Sequence, residues 1–395
     1  MSLLDEDVDF RPVQGLARLD TALSAVIGMR GSDLHVAAGK APMVRVSGAL
    51  RPVRNVGIWS AEDVRDILSS AMSPEQRERF EKDLELDFAY ALGDQARFRV
   101  NVYRQREAWG AAFRLIPTEI KTFDDLGLPE TLGSFADLPR GLVLVTGPTG
   151  SGKSTTLAAL IDRANETRAD HIMTIEDPIE FVHTSKTALV NQREVGTDTR
   201  SFEAALKHVL RQDPDIILLG ELRDLESISV ALTAAETGHL VFATLHTSDA
   251  AQSIDRMVDV FPAHQQQQVR MQLSLVLQGV VCQTLVPRAD GHGRVVAVEV
   301  LRVTPAIGNL IRQGKTSQLF TAMQTGHSLG MQTMDQHLAE LINAGTISVE
   351  AATSKAQDVS TLMHMVGTQK PKSSAPASAD GFGGGMGMSM GMGAR

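Results

Sequence analysis

The feature that most constrains the fold of this chain is the segment GPTGSGKST at residues 147–155. It matches the pattern G-x-x-x-x-G-K-[ST], in which the backbone N–H groups of a glycine-rich loop surround phosphate oxygens. An apolar run, LVLVT, precedes it, and apolar side chains recur at helical spacing after it. A helix starting there would add partial positive charge at the phosphates. The segment therefore predicts a phosphate-binding loop between a buried strand and a helix.

The loop pattern also predicts individual roles for its side chains. Lys153 is expected to reach the β- and γ-phosphates of ATP, and Ser154 is expected to ligate Mg²⁺. ATP and Mg²⁺ are thus the predicted cofactors. The residues predicted to contact the nucleotide are Gly147, Pro148, Thr149, Gly150, Ser151, Gly152, Lys153, Ser154 and Thr155.

Apolar strand-like runs alternate with helical segments from residue 141 onward. The runs are GLVLVTG, HIMTIED, DIILLGE and HLVFATLH, and helices are predicted at 155–168, 202–211 and 225–237. Strands that are apolar throughout, separated by helices, indicate a parallel sheet covered on both faces. A helical region is expected from about residue 263 to 367. The sequence thus predicts an α/β fold, with an ATPase domain over residues 130–366.

The N-terminal third of the chain shows a different pattern. Short strands and helices mix there without regular alternation, which predicts a smaller α+β domain over residues 12–117. The polar segment 118–129 is the predicted linker. Residues 367–395 are rich in Gly, Ser, Ala and Pro, with methionines among small residues, and predict a disordered tail.

Composition and charge restrict the location and the partners. The formal net charge of −9 argues against nucleic acid as a partner. The N-terminus MSLLDEDVDF lacks the basic and apolar pattern of a signal peptide, and no apolar run is long enough to span a membrane. We therefore expect a cytoplasmic location. The single cysteine, Cys282, stands in an apolar segment and predicts a buried side chain.

Two glutamates near strand ends are the predicted catalytic carboxylates. Ligand sites in such sheets lie at the carboxyl ends of the strands, where Glu221 follows DIILLG and Glu176 ends HIMTIE. Glu221 is expected to polarise the attacking water. Gly220 stands where an aspartate usually precedes that glutamate, so another group must help to hold the metal. Glu176 is a candidate for that contact or for a contact to water.

The remaining polar residues of these segments leave alternatives open. Asp177 and Glu180 are predicted either to assist at the site or to serve as helix caps and surface charges. His246 ends the strand HLVFATLH, where a sensor of the γ-phosphate would lie, and is the third predicted catalytic residue. His239, at the other end, is expected to act through a neighbouring subunit or to be structural.

These segments together resemble the secretion and type IV pilus ATPase superfamily, and within it the PilT-type retraction motors. GPTGSGKST resembles the family's Walker A motif, TIEDPIEF its Asp box, DIILLGE its atypical Walker B motif and TGHLVFATLHTSDA its His box. SDLHVAAGKAPMVRVSGAL resembles its PAS-like N-terminal domain. The resemblance covers residues 14–366 and makes Gly220 a family trait. It implies a RecA-like motor domain in a homohexamer, with ATP bound between the two domains of each subunit.

The resemblance also implies arginines that reach the nucleotide from the N-terminal domain. The segment ARFRVNVYRQREAWGAAFR supplies the candidates Arg99, Arg104, Arg106 and Arg114, of which Arg99 and Arg114 are the predicted nucleotide contacts. A guanidinium can clamp phosphate oxygens in bidentate fashion and supply charge in the transition state. The alternative, a surface or ion-pair role, stays open for each arginine.

Retraction of type IV pili is the function that the resemblance implies. Assembly-type relatives carry a tetracysteine zinc module, which a single cysteine cannot form. The implied partner is the inner-membrane platform protein of the pilus, with docking at the inner face of the cytoplasmic membrane. The family's AIRNLI element reads AIGNLI here, with Gly308 in place of arginine. We hypothesise that hydrolysis survives this change while coupling to the pilus is altered.

Three other functions remain as alternatives. One is a motor of the same superfamily for pilus assembly, secretion or conjugation. The second is an accessory subunit that binds ATP and regulates a paralogous motor. The third is a nucleic-acid translocase, which the acidic charge disfavours.

Overall fold

The computed structural model describes residues 11–366, except Ser47, Asp94 and Thr118. The leader and the tail predicted from the sequence lie outside the described residues. Within them, two β-sheets carry separate sets of helices. The N-terminal sheet has six strands in the order β3-β2-β1-β6-β5-β4, and the second sheet has seven in the order β13-β12-β7-β11-β10-β8-β9.

The N-terminal sheet is antiparallel and packs against three helices. Successive side chains of each strand point to opposite faces of the sheet, and one of these faces is buried. Phe98, Val100 and Val102 of β5 lie on the buried face. Two of these helices begin directly after Ser60 and Ser73, and each starts with a capping box. Its elements are α1 (Arg11–Gly28), β1 (Asp33–Ala37), β2 (Met43–Val46), β3 (Ala49–Pro52), α2 (Ala61–Ala71), α3 (Pro74–Asp83), β4 (Glu85–Leu92), β5 (Ala96–Gln105) and β6 (Ala108–Ile116).

The second sheet contains the four strands predicted from the apolar runs. Strands β12, β7, β11, β10, β8 and β9 run parallel, and β13 closes one edge antiparallel. The strand residues of β7 and β11 are all buried because helices cover both faces. The elements between residues 123 and 245 are α4 (Phe123–Leu126), a 3₁₀ turn (Glu130–Phe135), β7 (Gly141–Thr146), α5 (Lys153–Thr167), β8 (His171–Glu176), β9 (Leu189–Glu194), α6 (Phe202–Val209), β10 (Ile216–Leu219), α7 (Leu225–Glu236) and β11 (Leu240–Leu245).

The prediction of a continuous helical region after residue 263 is wrong in one part. Two long strands, β12 and β13, cross it and pair over nine residue positions. Their segments LQGVVCQTLVP and RVVAVEVLR are rich in β-branched residues, which pack well on a pleated surface. The C-terminal elements are α8 (Ala250–Asp259), α9 (Ala263–Val276), β12 (Leu277–Pro287), β13 (Arg294–Arg302), α10 (Pro305–Arg312), α11 (Leu319–Thr325), α12 (Met334–Asn343), α13 (Val349–Thr353) and α14 (Val359–Met365), with 3₁₀ turns at Thr316–Gln318 and His327–Leu329.

The two sheets enclose different sets of buried side chains. Leu34, Trp59 and Phe98 belong to the N-terminal core, whereas Leu144 and Val281 belong to cores on either face of the second sheet. We propose that the sheets are separate domains joined near residues 118–129, because these cores do not merge. None of the described helices is both long and apolar enough to cross a membrane.

A buried glutamate ties the C-terminal helices to the second sheet. Glu299 of β13 has no exposed surface, and its carboxylate accepts hydrogen bonds from the Ala250 N–H at the start of α8 and from Gln357 Nε2 before α14, at 2.8 and 3.0 Å. Burial raises the pKa of Glu299 to about 7, and the charge of Asp249 adds to this rise. Asp335 of α12 binds the same segment before α14, because its carboxylate accepts hydrogen bonds from the backbone N–H groups of Gln357 and Asp358.

The raised pKa predicts how the Glu299→Gln variant responds to pH. In the unfolded chain the carboxyl loses its proton above its ordinary value of 4.5, while in the fold it keeps the proton up to about pH 7. The wild type therefore loses stability as pH rises through this window, and the variant does not. Relative to wild type, we expect the variant's free energy of unfolding to rise by about 2–3 kcal/mol between pH 5 and pH 8.

Urea unfolding followed by circular dichroism measures this difference. Tryptophan fluorescence would not measure it, because Trp59 and Trp109, the two tryptophans of the chain, belong to the N-terminal core and Glu299 lies in the second sheet. Glu350→Gln, on an exposed position of α13, is the matched control and should differ little from wild type at either pH. An equal effect of Glu299→Gln at both pH values would contradict the prediction.

Candidate nucleotide site

The glycine-rich loop lies between β7 and α5, as its pattern predicts. Gly147 has a φ of 141°, and a Cβ there would approach the Gln283 carbonyl oxygen to 2.3 Å. Gly152, with a φ of 92°, caps α5 at its N-terminus. Both positions exclude a side chain, one by space and the other by backbone conformation. Gln283 supports the loop from β12, since its Nε2 donates to the Ser151 carbonyl at 2.8 Å.

Lys153 is the first residue of α5 and folds back over the loop. Its ammonium donates to the carbonyl oxygens of Gly147 and Pro148, at 2.9 and 3.3 Å. Burial lowers the pKa of Lys153, while the nearby charges of Glu221 and Glu180 oppose this change. The lysine therefore stands at the helix N-terminus with its charge directed into the loop, where a phosphate would be stabilised.

A cavity of about 780 Å³ opens at the carboxyl ends of the parallel strands, beside this loop. It brings together many of the side chains singled out in the sequence, among them Lys153, Ser154, Glu176, Glu221, His246 and Arg99. Thr149, Gly150, Gly152 and Thr155 line it as well. Gly147, Pro148 and Ser151, also predicted to contact the nucleotide, do not line this cavity.

Glu221 lies between two basic side chains at the end of β10. His246 Nε2 approaches its Oε1 at 3.2 Å, and the Arg223 guanidinium approaches its Oε2 at 2.8 Å. Glu221 and His246 come from adjacent parallel strands, β10 and β11, whose ends meet here. Arg223 was missed in the sequence, although it stands only two residues after Glu221 in the same segment.

Glu176 is buried at the end of β8. Its Oε1 accepts from Thr174 Oγ1 at 2.6 Å and from Gln192 Nε2 at 3.1 Å. Burial raises its pKa, against the lowering effect of these hydrogen bonds. Asp177 and Glu180 line the same cavity, a position that favours the site alternative for both.

The oxygen donors of this cavity suit Mg²⁺. The Ser154 hydroxyl and the carboxylates of Glu176 and Glu221 are hard ligands, which this ion prefers. Among the residues that the structure describes, no group of three or more His, Cys, Asp or Glu side chains converges to hold a metal alone. This set fits an ion that takes its other ligands from phosphates and water.

The four candidate arginines of the N-terminal sheet occupy different places. Arg99 of β5 lines the cavity. Arg114, its cross-strand neighbour on β6, lies outside this cavity and pairs with Asp33 at 2.9 Å. Arg104 and Arg106 also lie outside this cavity. A second arginine of the ATPase region, Arg294 at the start of β13, lines the cavity and carried no recognisable motif in the sequence.

His239 lies at the opposite end of β11 from the cavity. Its Nδ1 contacts the Ala234 carbonyl in the last turn of α7 at 2.9 Å and Thr237 Oγ1 just after that helix at 3.2 Å. These contacts favour the structural alternative. Cys282 is buried as predicted and accepts a hydrogen bond from Thr146 Oγ1 at 3.0 Å.

Comparison with known proteins decides the family. The family model described as type II/IV secretion system protein matches residues 6–364. The chain belongs to the type II/IV secretion system protein family. The chain is similar to the type IV pilus retraction ATPase PilT of Pseudomonas aeruginosa, which is 54% identical over 85% of this chain and 98% of that protein. The type IV pilus ATPase PilU of the same organism is 43% identical over 87% of this chain and 90% of that protein.

A solved structure supports the same family fold. The crystal structure of the pilus retraction motor PilT with bound ADP is 45% identical, with a TM-score of 0.82, and the match covers 88% of this chain and 99% of that chain. The α/β architecture with a smaller N-terminal domain is thereby confirmed. Within this secretion family the chain is an ATP hydrolase, and the cavity beside its glycine-rich loop is the candidate nucleotide site.

Proposed function

We propose that this chain is a motor that hydrolyses ATP to drive retraction of type IV pili. The observation that carries the proposal is the 54% identity to a pilus retraction ATPase over nearly that protein's whole length. The cavity supports it, because Lys153, Glu221 and Arg99 meet there. ATP hydrolysis would shift the N-terminal domain against the ATPase domain, and this movement would deliver force.

The proposed chemistry assigns a role to each side chain at the cavity. Lys153 and the N-terminus of α5 bind the phosphates. Ser154 and Glu176 would hold Mg²⁺, which would supply positive charge beside the phosphates. Glu221 orients and polarises the attacking water. His246, whose Nε2 lies 3.2 Å from Glu221 Oε1, senses the γ-phosphate, and Arg99 stabilises charge that develops in the transition state.

The proposed assembly is a ring of six identical chains. Arg114 is exposed and lies outside the cavity of its own chain, so a nucleotide contact by Arg114 requires a neighbouring subunit or a domain movement. We further propose that the ring docks on the platform protein of the pilus at the inner face of the cytoplasmic membrane. The net charge of −9 supports a partner other than nucleic acid.

A count of surface pili in a strain that lacks this gene tests the proposal. We expect an excess of pili that do not retract, and rescue by the wild-type gene but not by Glu221→Gln. Cells without pili would identify an assembly motor instead. Unchanged pili would indicate an accessory or secretion role.

An accessory function is the second candidate, and Gly308 in place of the arginine of the AIRNLI element favours it. Such a subunit would act on a paralogous motor. Purified protein distinguishes the two, because a motor hydrolyses ATP alone, whereas a regulatory subunit would chiefly stimulate its paralogue.

Gly308 bears on coupling to the pilus. It lies in α10, and a Cβ there would stand 3.0 Å from the Ser274 carbonyl oxygen of α9. The glycine therefore permits a close approach of the two helices, so Gly308→Arg must displace α10 slightly. If the altered-coupling hypothesis is correct, this variant changes retraction in the complemented strain without changing ATP turnover. Unchanged retraction would count against the hypothesis.

A further inference from the structure

A partly buried ion pair joins the two sheets close to the nucleotide cavity. Arg97 of β5 donates from Nη2 to Oε2 of Glu194, the last residue of β9, at 3.2 Å. Of the ion pairs among the described residues, this one alone links the N-terminal sheet to the second sheet. Only 3% of the Glu194 side chain is exposed, against 28% of the Arg97 side chain, so the carboxylate is shielded from water and the guanidinium is partly shielded. Such a pair restricts how the sheets can lie relative to each other.

Glu194 also fixes the turn that carries the acidic side chains of the cavity. Its Oε2, the atom that binds Arg97, accepts the Ile179 N–H at 3.1 Å. The segment around Ile179 contributes Asp177, Pro178 and Glu180 to the cavity wall. The Glu194 Oε1 accepts from Thr197 Oγ1, so both carboxylate oxygens have partners. Arg97 therefore binds the same carboxylate that holds this turn.

Arg97 and Arg99 share one face of β5. Side chains two apart on a strand point the same way, and the intervening Phe98 is buried in the N-terminal core. The Arg99 side chain reaches the cavity two positions along the strand from the ion pair. The distance of Arg99 from the phosphates thus depends on where Glu194 holds β5.

We propose that Arg97 is a positioning residue of the ATPase. By binding Glu194, it sets β5 against the turn at residues 177–180 and so holds Arg99 in the nucleotide cavity. Arg97 itself need not touch the nucleotide. The inference rests on the ATP hydrolysis and not on what that hydrolysis drives.

The test is a double-mutant cycle on ATP turnover of the purified full chain. If Arg97 acts through Arg99, Arg97→Ala lowers kcat by about 10- to 100-fold, the scale of a small misplacement of a catalytic group. In the Arg99→Ala background, Arg97→Ala should lower kcat by less than about threefold, because the guanidinium that Arg97 positions is already absent. Arg97→Lys keeps the charge and should restore kcat to within about fivefold of wild type.

Two further variants separate positioning from stability. Glu194→Gln retains an acceptor for the Ile179 N–H but loses the charge, and should reproduce the Arg97→Ala loss. Arg79→Ala removes an exposed guanidinium of the same domain, which pairs with Asp83 at 3.9 Å, and should leave kcat unchanged. Melting temperatures of all variants identify any that lose activity by unfolding.

Two outcomes would overturn the inference. One is an Arg97→Ala enzyme with wild-type kcat, and the other is an equal loss from this change with and without Arg99. The double-mutant cycle of Arg97 and Arg99 is also measured on the dissociation constant of a fluorescent ATP analogue. Binding of the analogue can be measured whether or not the chain hydrolyses ATP. A wild-type chain that binds this analogue but does not hydrolyse ATP would refute the motor and leave the binding cycle to decide about Arg97.

Discussion

The purified Glu221→Gln variant is expected to hydrolyse ATP about 100- to 10,000-fold more slowly than wild type, the range for loss of a group that takes a proton from water. Glutamine keeps the size and shape of the side chain but cannot take up a proton from water. Its amide can still contact Arg223 or His246, which hold the carboxylate at 2.8 and 3.2 Å in the structure. The loss should therefore fall on kcat.

Affinity for ATP is the companion measurement for this variant. If Glu221 acts in the chemical step, the dissociation constant of a fluorescent ATP analogue should change less than about threefold. Glu226→Gln is the matched control, since Glu226 is half-exposed in the first turn of α7 and pairs with Lys207. Residual turnover near the wild-type rate would remove Glu221 from the chemical step and leave Glu176 as the remaining carboxylate candidate.

Loss of nucleotide binding is the expected result of Lys153→Ala. Its ammonium is buried at the N-terminus of α5 and carries positive charge to the point where phosphate oxygens would lie. A charge-assisted hydrogen bond in a shielded site is worth about 1.5–3 kcal/mol, so affinity for ATP should fall by about 10- to 150-fold. Turnover at saturating ATP should also fall, because the lysine neutralises charge in the transition state.

Lys207→Ala controls for the removal of a lysine. Lys207 is exposed on α6 and pairs with Glu203 one helical turn earlier. Surface pairs of this kind contribute little, so the variant should bind ATP as wild type does. Equal affinities for Lys153→Ala and Lys207→Ala would show that the cavity does not bind phosphate in the way proposed.

Much of the fold follows from local patterns in the chain. The apolar runs that became β7, β8, β10 and β11 are each buried on both faces, so their composition alone distinguishes them from surface strands. β9 was not predicted, because half-exposed LVNQRE lies at the sheet edge and carries little apolar signal. β12 and β13 were missed because continuous apolar runs do not distinguish a buried strand from a buried helix.

The sequence by itself determined the phosphate loop, since spacing along a few neighbouring residues fixes how a backbone can surround an anion. It also placed Glu176, Glu221 and His246 at strand ends, and parallel pairing carries such ends to one edge of a sheet. Only the tertiary structure decided that Arg99 rather than Arg114 lies in the cavity, that Arg223 and Arg294 join it, and that Arg97 binds Glu194. These contacts join residues far apart in sequence, and only the packing of sheets and helices sets such distances.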